Sequence, residues 1–145
     1  MLLTAAPLSG FAGLKLDLPG LGVRASAISL PSSGKCGENA TYTFNEASGL
    51  LTISGTGSIE NSAFEMRTEI RSVVIEDGIT EIGDSIFNAC VNIFEINIPD
   101  SVTKIGKYIF DGCSGPLSIT IPSSVTSISD NAFGSQKIFV HKGSY

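Results

Sequence analysis

A chain of 145 residues is long enough for one domain with a real core, since folding at this length typically buries about 68–70% of the unfolded surface. Charged residues make up 16% of it and hydrophobic ones 42%, with sixteen glycines and six prolines, a balance that argues against disorder and long charged helices and for a turn-rich β protein. The net charge of −5 argues against nucleic acid as a partner, because duplex binding needs several Lys or Arg converging on phosphates and the nine here are scattered among fourteen carboxylates.

In chain order, MLLTAAPLSGFAGL is uncharged until Lys15 but is interrupted by Pro7, Gly10 and Gly13, and it falls short of the ~20 residues that span a bilayer. Ala25-Ser26-Ala27 has the small-x-small form of a signal-peptidase site. Residues 1–27 therefore read as an export signal, with a loosely packed arm as the alternative. The missing basic n-region, and Lys15, Asp17 and Arg24 ahead of the cleavage point, depart from the usual signal.

Two β-prone stretches follow, Thr41-Tyr42-Thr43-Phe44 and Leu50-Leu51-Thr52-Ile53. The Asn45–Gly49 segment between them has the length and composition of a hairpin loop. Gly55-Thr56-Gly57 reads as a short turn with no phosphate-binding motif around it. Seven carboxylates between Glu60 and Asp84, with only Arg67 and Arg71 among them, read as a solvated face.

From there the chain repeats itself, with copies that begin at Ile70, Ile93 and Pro116: IRSVVIEDGITEIGDSIFNAC, IFEINIPDSVTKIGKYIFDGC and PLSITIPSSVTSISDNAF. Five apolar columns stay in register: Val73, Ile96 and Ile119; Ile75, Ile98 and Ile121; Ile79, Val102 and Val125; Ile82, Ile105 and Ile128; Phe87, Phe110 and Phe133. Each copy opens with strand-like alternation, as in Glu95-Ile96-Asn97-Ile98, and turns at Glu76-Asp77-Gly78, Pro99-Asp100-Ser101 or Pro122-Ser123-Ser124. Ile82, Ile86, Phe87 and Cys90, at spacings of 4, 1 and 3, predict a short helical return with one buried side. In the second copy Ile93, Phe94, Ile96, Ile98, Val102, Ile105, Ile109 and Phe110 are the apolar residues available to a core. Neighbouring copies must stack to bury such faces, which is the logic of a solenoid.

These copies resemble the BspA-like leucine-rich repeats, whose pattern runs roughly L-x-x-I-x-I-P-x-x-V-x-x-I-G-x-x-A-F-x-x-C. IFEINIPDSVTKIGKYIFDGC matches nearly every position, with Ile109 in place of alanine; the third copy departs at Pro116 and Gln136. CGENATYTFNEASGLLTISGTGSI resembles the family's N-terminal hairpin cap, and Ile59 and Phe64 fall one full period before Ile82 and Phe87, as a degenerate repeat would. KIFVHKGSY resembles a closing strand and turn. The resemblance implies an α/β leucine-rich-repeat solenoid, with short strands on the concave side and short helical turns on the convex side. Its expected divisions are an export signal or arm at 1–27, a hairpin cap at 28–69, three repeats at 70–136 and a closing strand at 137–145.

The residues offer no catalytic constellation. His141 is the one histidine and has no partner at metal-ligand spacing, so neither a triad nor a histidine-rich metal site is expected. Asp84 and Asp111 lie in successive repeats and read as helix-start or turn residues before they read as an acid/base pair. Cys90 and Cys113 hold equivalent repeat positions; they and Cys36 read as buried free thiols, although a Cys90–Cys113 bridge is conceivable in an exported protein. Asn39-Ala40-Thr41 fits the glycosylation sequon, which matters only for an exported eukaryotic protein.

No cofactor and no metal are expected. The candidate binding face is the outward, concave side of the strands, with columns Ser72, Glu95, Ser118 and Val74, Asn97, Thr120. The expected protein is a monomeric, non-enzymatic module, secreted or at the cell surface, that contacts a protein or surface glycan and has no membrane span. The alternatives are a passive spacer and a substrate-presenting accessory domain of a longer hydrolase. Adhesion is what the family resemblance implies.

Overall fold

The computed structural model describes residues 29–114, 117–134 and 138–142. The segment expected as an export signal or arm, 1–27, lies outside them. Ten strands follow in chain order: β1 Ser33–Lys35, β2 Asn39–Asn45, β3 Leu50–Ile59, β4 Ser72–Ile75, β5 Ile79–Ile82, β6 Glu95–Asn97, β7 Lys104–Ile105, β8 Leu117–Ile121, β9 Ser127–Ile128 and β10 Ile138–Lys142. They wind into a β-solenoid, with no helix among the described residues.

The first sheet runs β1-β2-β3-β4-β6-β8-β10, antiparallel in the β1-β2-β3 cap and parallel from β3 onward. The second runs β3-β5-β7-β9, all parallel. Ten-residue β3 belongs to both: Leu50–Ile53 pair with β4, and Gly57–Ile59 with β5. The chain bends between these halves at Gly55 (φ 108°) and Gly57 (φ 83°), and a Cβ on Gly55 would lie 2.2 Å from the Asn39 carbonyl oxygen. Gly55-Thr56-Gly57 is therefore the corner that carries the strand from one sheet into the other.

The corner recurs in each coil with changing chemistry. Gly78 (φ 112°) stands above Gly55, and serines hold the next two positions. Ser101 Oγ donates to the Ile79 carbonyl (2.7 Å) and accepts the Gly78 N–H (3.1 Å), while Ser124 Oγ donates to the Val102 carbonyl (2.9 Å). Where glycine clears space for a backbone carbonyl, serine supplies a donor to one.

The third side corrects the expected α/β architecture. Ile82, Ile86, Phe87 and Cys90 are all buried, as the spacing requires, but the segment that carries them is a chain of tight turns. Asn88 N–H bonds to the Ser85 carbonyl and Cys90 N–H to that of Phe87, three residues back instead of four. Other N–H groups leave the coil altogether: those of Ser85, Phe87 and Ala89 donate to the Lys107, Ile109 and Asp111 carbonyls at 2.8, 2.9 and 2.7 Å. The sequence explains the outcome, because Gly83, Asp84, Ser85 and Asn88 are weak helix formers and Ile86 is β-branched. The return is also shorter than the ~12 residues a marginal isolated helix needs. Left-handed residues recur in register instead, Ser62, Ser85, Tyr108 and Asn131 (φ 54–57°), then Met66, Ala89 and Gly112 (φ 61°, 56° and 73°). Asp84 and Asp111 are consequently turn residues and not helix starts.

The core fills the space between the three sides. Phe64, Phe87, Phe110 and Phe133 stack in one column with centroids 5.8, 5.6 and 6.3 Å apart and interplanar angles of 13°, 9° and 7°. Tyr42 from the hairpin closes that stack edge-on to Phe64, at 5.1 Å and 86°. Ile82 and Ile105 are 0% and 1% exposed, whereas Ile128, in the last described strand of the second sheet, is 45% exposed. Phe94, counted among the core residues from sequence, is 51% exposed.

Replacing a ring inside the stack removes contacts on both faces. Phe87→Ala is expected to cost about 3–5 kcal/mol, and Phe133→Ala, with a single described ring neighbour, clearly less; urea unfolding of the two variants checks the order. Ala89→Gly should stabilise by up to about 1 kcal/mol, the relief of a left-handed alanine less the extra chain entropy of glycine. A loss of stability in that variant would contradict the assigned turn.

Candidate functional site

The register of the parallel strands places all six predicted face residues on one side of the first sheet. Ser72 pairs with Glu95 and Glu95 with Ser118; Val74 pairs with Asn97 and Asn97 with Thr120. Alternation along each strand turns Val73, Ile96 and Ile119 inward and these residues outward. Glu95, Asn97, Ser118 and Thr120 are exposed, while Ser72 and Val74 are half-buried.

The pairing carries both columns further than the repeats read from sequence. Leu50 and Thr52 of β3 precede Ser72 and Val74, and Phe139 and His141 of β10 occupy the register positions after Ser118 and Thr120. Each column is thus five strands long.

The Val74, Asn97 and Thr120 column borders an open groove of about 830 Å³ along the corner where the strands meet the turn triplets. Its floor includes Val74, Asn97 and Thr120, and its rim carries Glu76, Asp77 and Asp100, with no Lys or Arg among the lining residues. Sequence reasoning places Glu76 and Asp77 on a merely solvated face and the proline triplets in turns. The signal that could have found the groove is the common offset of the triplets and the strand columns. At the opposite end of β6, exposed Phe94 stands next to Glu95, one coil after Arg71.

Polar chemistry on the other two sides is structural. On the second sheet, Glu81 and Lys104 form an exposed ion pair at 3.9 Å, which contributes little. Along the turns, Asn61 Oδ1 accepts the Asp84 N–H (2.7 Å) and Asp84 Oδ1 accepts the Lys107 N–H (2.8 Å). Among the described residues, no three His, Cys, Asp or Glu side chains gather as a metal site would require.

The cysteines are free and buried. Cys90 Sγ donates to the Phe64 carbonyl (2.9 Å) and Cys113 Sγ to that of Phe87 (3.3 Å), so the thiols repeat one bond one coil apart. Burial is the main force raising their pKa values from 9.0, to about 12 for Cys36 and Cys90 and about 11 for Cys113. All three remain protonated thiols at neutral pH and are poor nucleophiles.

Comparison with known proteins fits this geometry. The pattern described as "BspA type Leucine rich repeat region" matches residues 38–140, in six copies. The chain belongs to the BspA-type leucine-rich repeat family. The match runs beyond both ends of the three copies read from sequence and takes in the hairpin. Among solved structures, a leucine-rich cell surface protein from Faecalibacterium prausnitzii shares 27% identity at a TM-score of 0.52, over 70% of this chain and 30% of that one. A leucine-rich repeat protein from Eubacterium ventriosum (24% identity, TM-score 0.41) covers 75% of this chain and 44% of its own. One from Bacteroides ovatus (25% identity, TM-score 0.40) covers 66% and 37%. The chain thus spans less than half the length of each. No curated protein matches it.

The thiols give this leucine-rich repeat domain a specific alkaline sensitivity. An unfolded cysteine loses its proton near pH 9 while the folded ones hold theirs to about 11–12, so this contribution to stability is complete below pH 9 and lost as pH rises toward 11–12. Urea midpoints should fall over that range, and Cys90→Ala, though less stable at neutral pH, should fall less steeply. An unchanged slope in the variant would contradict the assignment.

Proposed function

We propose that this chain is a non-enzymatic recognition module of a secreted or cell-surface protein, and that it contacts a protein or surface glycan across the outward face of its first sheet. The observation that carries the reading is the alignment of Glu95, Asn97, Ser118 and Thr120, exposed and in register, beside an open groove that Asn97 and Thr120 help to line. Family membership supports it, as does the description of the Faecalibacterium prausnitzii protein as a cell surface protein. Among the described residues no helix is long and apolar enough to cross a membrane. Adhesion is the specific role proposed.

The small side chains of the face favour a weak contact repeated over many coils over one tight site. Ser, Thr and Asn replace the Trp, Tyr and Arg that anchor high-affinity interfaces, and the chain has no Trp at all. The same observation favours, as a second reading, a passive spacer in a longer protein.

The test is binding to arrayed extracellular matrix proteins and cell-surface glycans, with a Glu95→Lys, Asn97→Arg, Thr120→Arg variant alongside. All three positions are exposed, so the variant should fold, and a loss of binding of about tenfold or more is expected from it. Binding that survives the triple change would move the site off this face, and no binding by either protein would leave the spacer.

A further inference from the structure

Charges that meet from coil to coil alternate in sign on two sides of this solenoid and repeat in sign at the corner beside the first sheet. On the second sheet Lys104 pairs in register with Glu81 and reaches its carboxylate at 3.9 Å. On the turn side Lys107 holds the position of Asp84, whose carboxylate accepts the Lys107 N–H. At the corner, by contrast, Asp77 is followed one coil later by Asp100. The bond from Gly78 N–H to Ser101 Oγ (3.1 Å) fixes these two aspartates, each one residue earlier, as neighbours. Their coils are stacked about 4.8 Å apart.

Both aspartates are exposed and both line the groove, with Glu76 beside them and no Lys or Arg among the lining residues. Among the described residues, none of these three carboxylates takes a hydrogen bond or an ion pair. The same chain that matches its charges on the other sides leaves this corner negative, so the complement lies outside it. A bare metal ion is a poor complement, because no three candidate ligands gather among the described residues. The strand that runs to the groove also offers an apolar contact: Phe94, in a central coil and outside the ring stack, is 51% exposed. It lies six residues before Asp100, about 20 Å along an extended chain, with exposed Glu95 and Asn97 between.

We propose that the partner at this face is a protein, engaged through an extended basic segment. One Lys or Arg side chain of that segment sits between Asp77 and Asp100, and an apolar side chain about six residues away covers Phe94. Acidic glycans are repelled by the same carboxylates, and neutral ones gain nothing from them. This inference rests on the recognition reading above and narrows its partner from a protein or glycan to a basic protein segment.

Fluorescence polarisation with labelled peptides of about ten residues tests it, each with leucine at both ends and serine alternating with lysine, acetyl-lysine or glutamate between them. The lysine peptide should bind and the other two should not, and its affinity should fall at least about threefold between about 50 and about 200 mM salt. An Asp77→Asn, Asp100→Asn variant should lose at least about fivefold in affinity, and Phe94→Ser at least about threefold, with unchanged circular dichroism spectra. A Glu81→Gln, Asp130→Asn variant, which removes the same charge away from the groove, should bind like the native chain. The proposal is overturned if the lysine peptide fails to bind at low salt, if the two double variants lose affinity equally, or if either the aspartate pair or Phe94 can be changed without effect. It is also overturned if matrix proteins or glycans released by the Glu95→Lys, Asn97→Arg, Thr120→Arg variant are still held by the Asp77→Asn, Asp100→Asn one; the recognition face then stands and only the charge of its partner is wrong. Binding that ignores the face variant removes both.

Discussion

Inward side chains of the repeats, such as Phe64, Phe87 and Phe110, rest on their own equivalents in the neighbouring coil, and the coil closes only because backbone hydrogen bonds hold that offset on all three sides. The two sheets supply parallel ladders, and the turn side supplies bonds such as Phe64 N–H to the Ile86 carbonyl and Phe87 N–H to the Ile109 carbonyl. Side chains keep the same offset: Thr103 and Thr126 donate to carbonyls one coil back, as do Cys90 and Cys113 at a slightly longer interval. A one-residue slip would turn every apolar column outward at once.

That constraint explains how few charges the core must manage. No polar or charged residue is buried among the described residues, and no buried side-chain nitrogen or oxygen lacks a partner. Polar side chains near the interior are small Ser, Thr and Asn that reach a neighbouring coil's backbone. Stability is then a sum of similar coil-to-coil contacts, and the ends differ from the middle by having one neighbour. Phe87 lies between two rings, whereas Phe133 has a single described ring neighbour.

The same regularity makes the outward surface periodic. Columns that are apolar inside are polar outside, so any binding function is written in the identity of a few residues repeated at fixed spacing. The first sheet shows Ser, Glu, Asn and Thr, bordered by carboxylates on the turns, a surface suited to repeated modest contacts. The second shows an exposed Glu81–Lys104 pair.

By itself the sequence determined the period, the five apolar columns, the hairpin and the two outward columns, because each follows from local alternation or from an offset that can be counted along the chain. It could not decide what the return segment does. Ile82, Ile86, Phe87 and Cys90 have a spacing that a helix and a run of turns satisfy equally, and the choice rests on where the N–H groups of Ser85, Phe87 and Ala89 find carbonyls, which is in the next coil. The role of Gly55 was hidden for the same reason, since the Asn39 carbonyl that forbids a side chain there approaches from another strand. The groove beside Glu76 and Asp100, and the exposure of Phe94 and Ile128, are likewise properties of stacking. Periodicity is local and legible in one chain; partners across coils exist only once the coils are laid on one another.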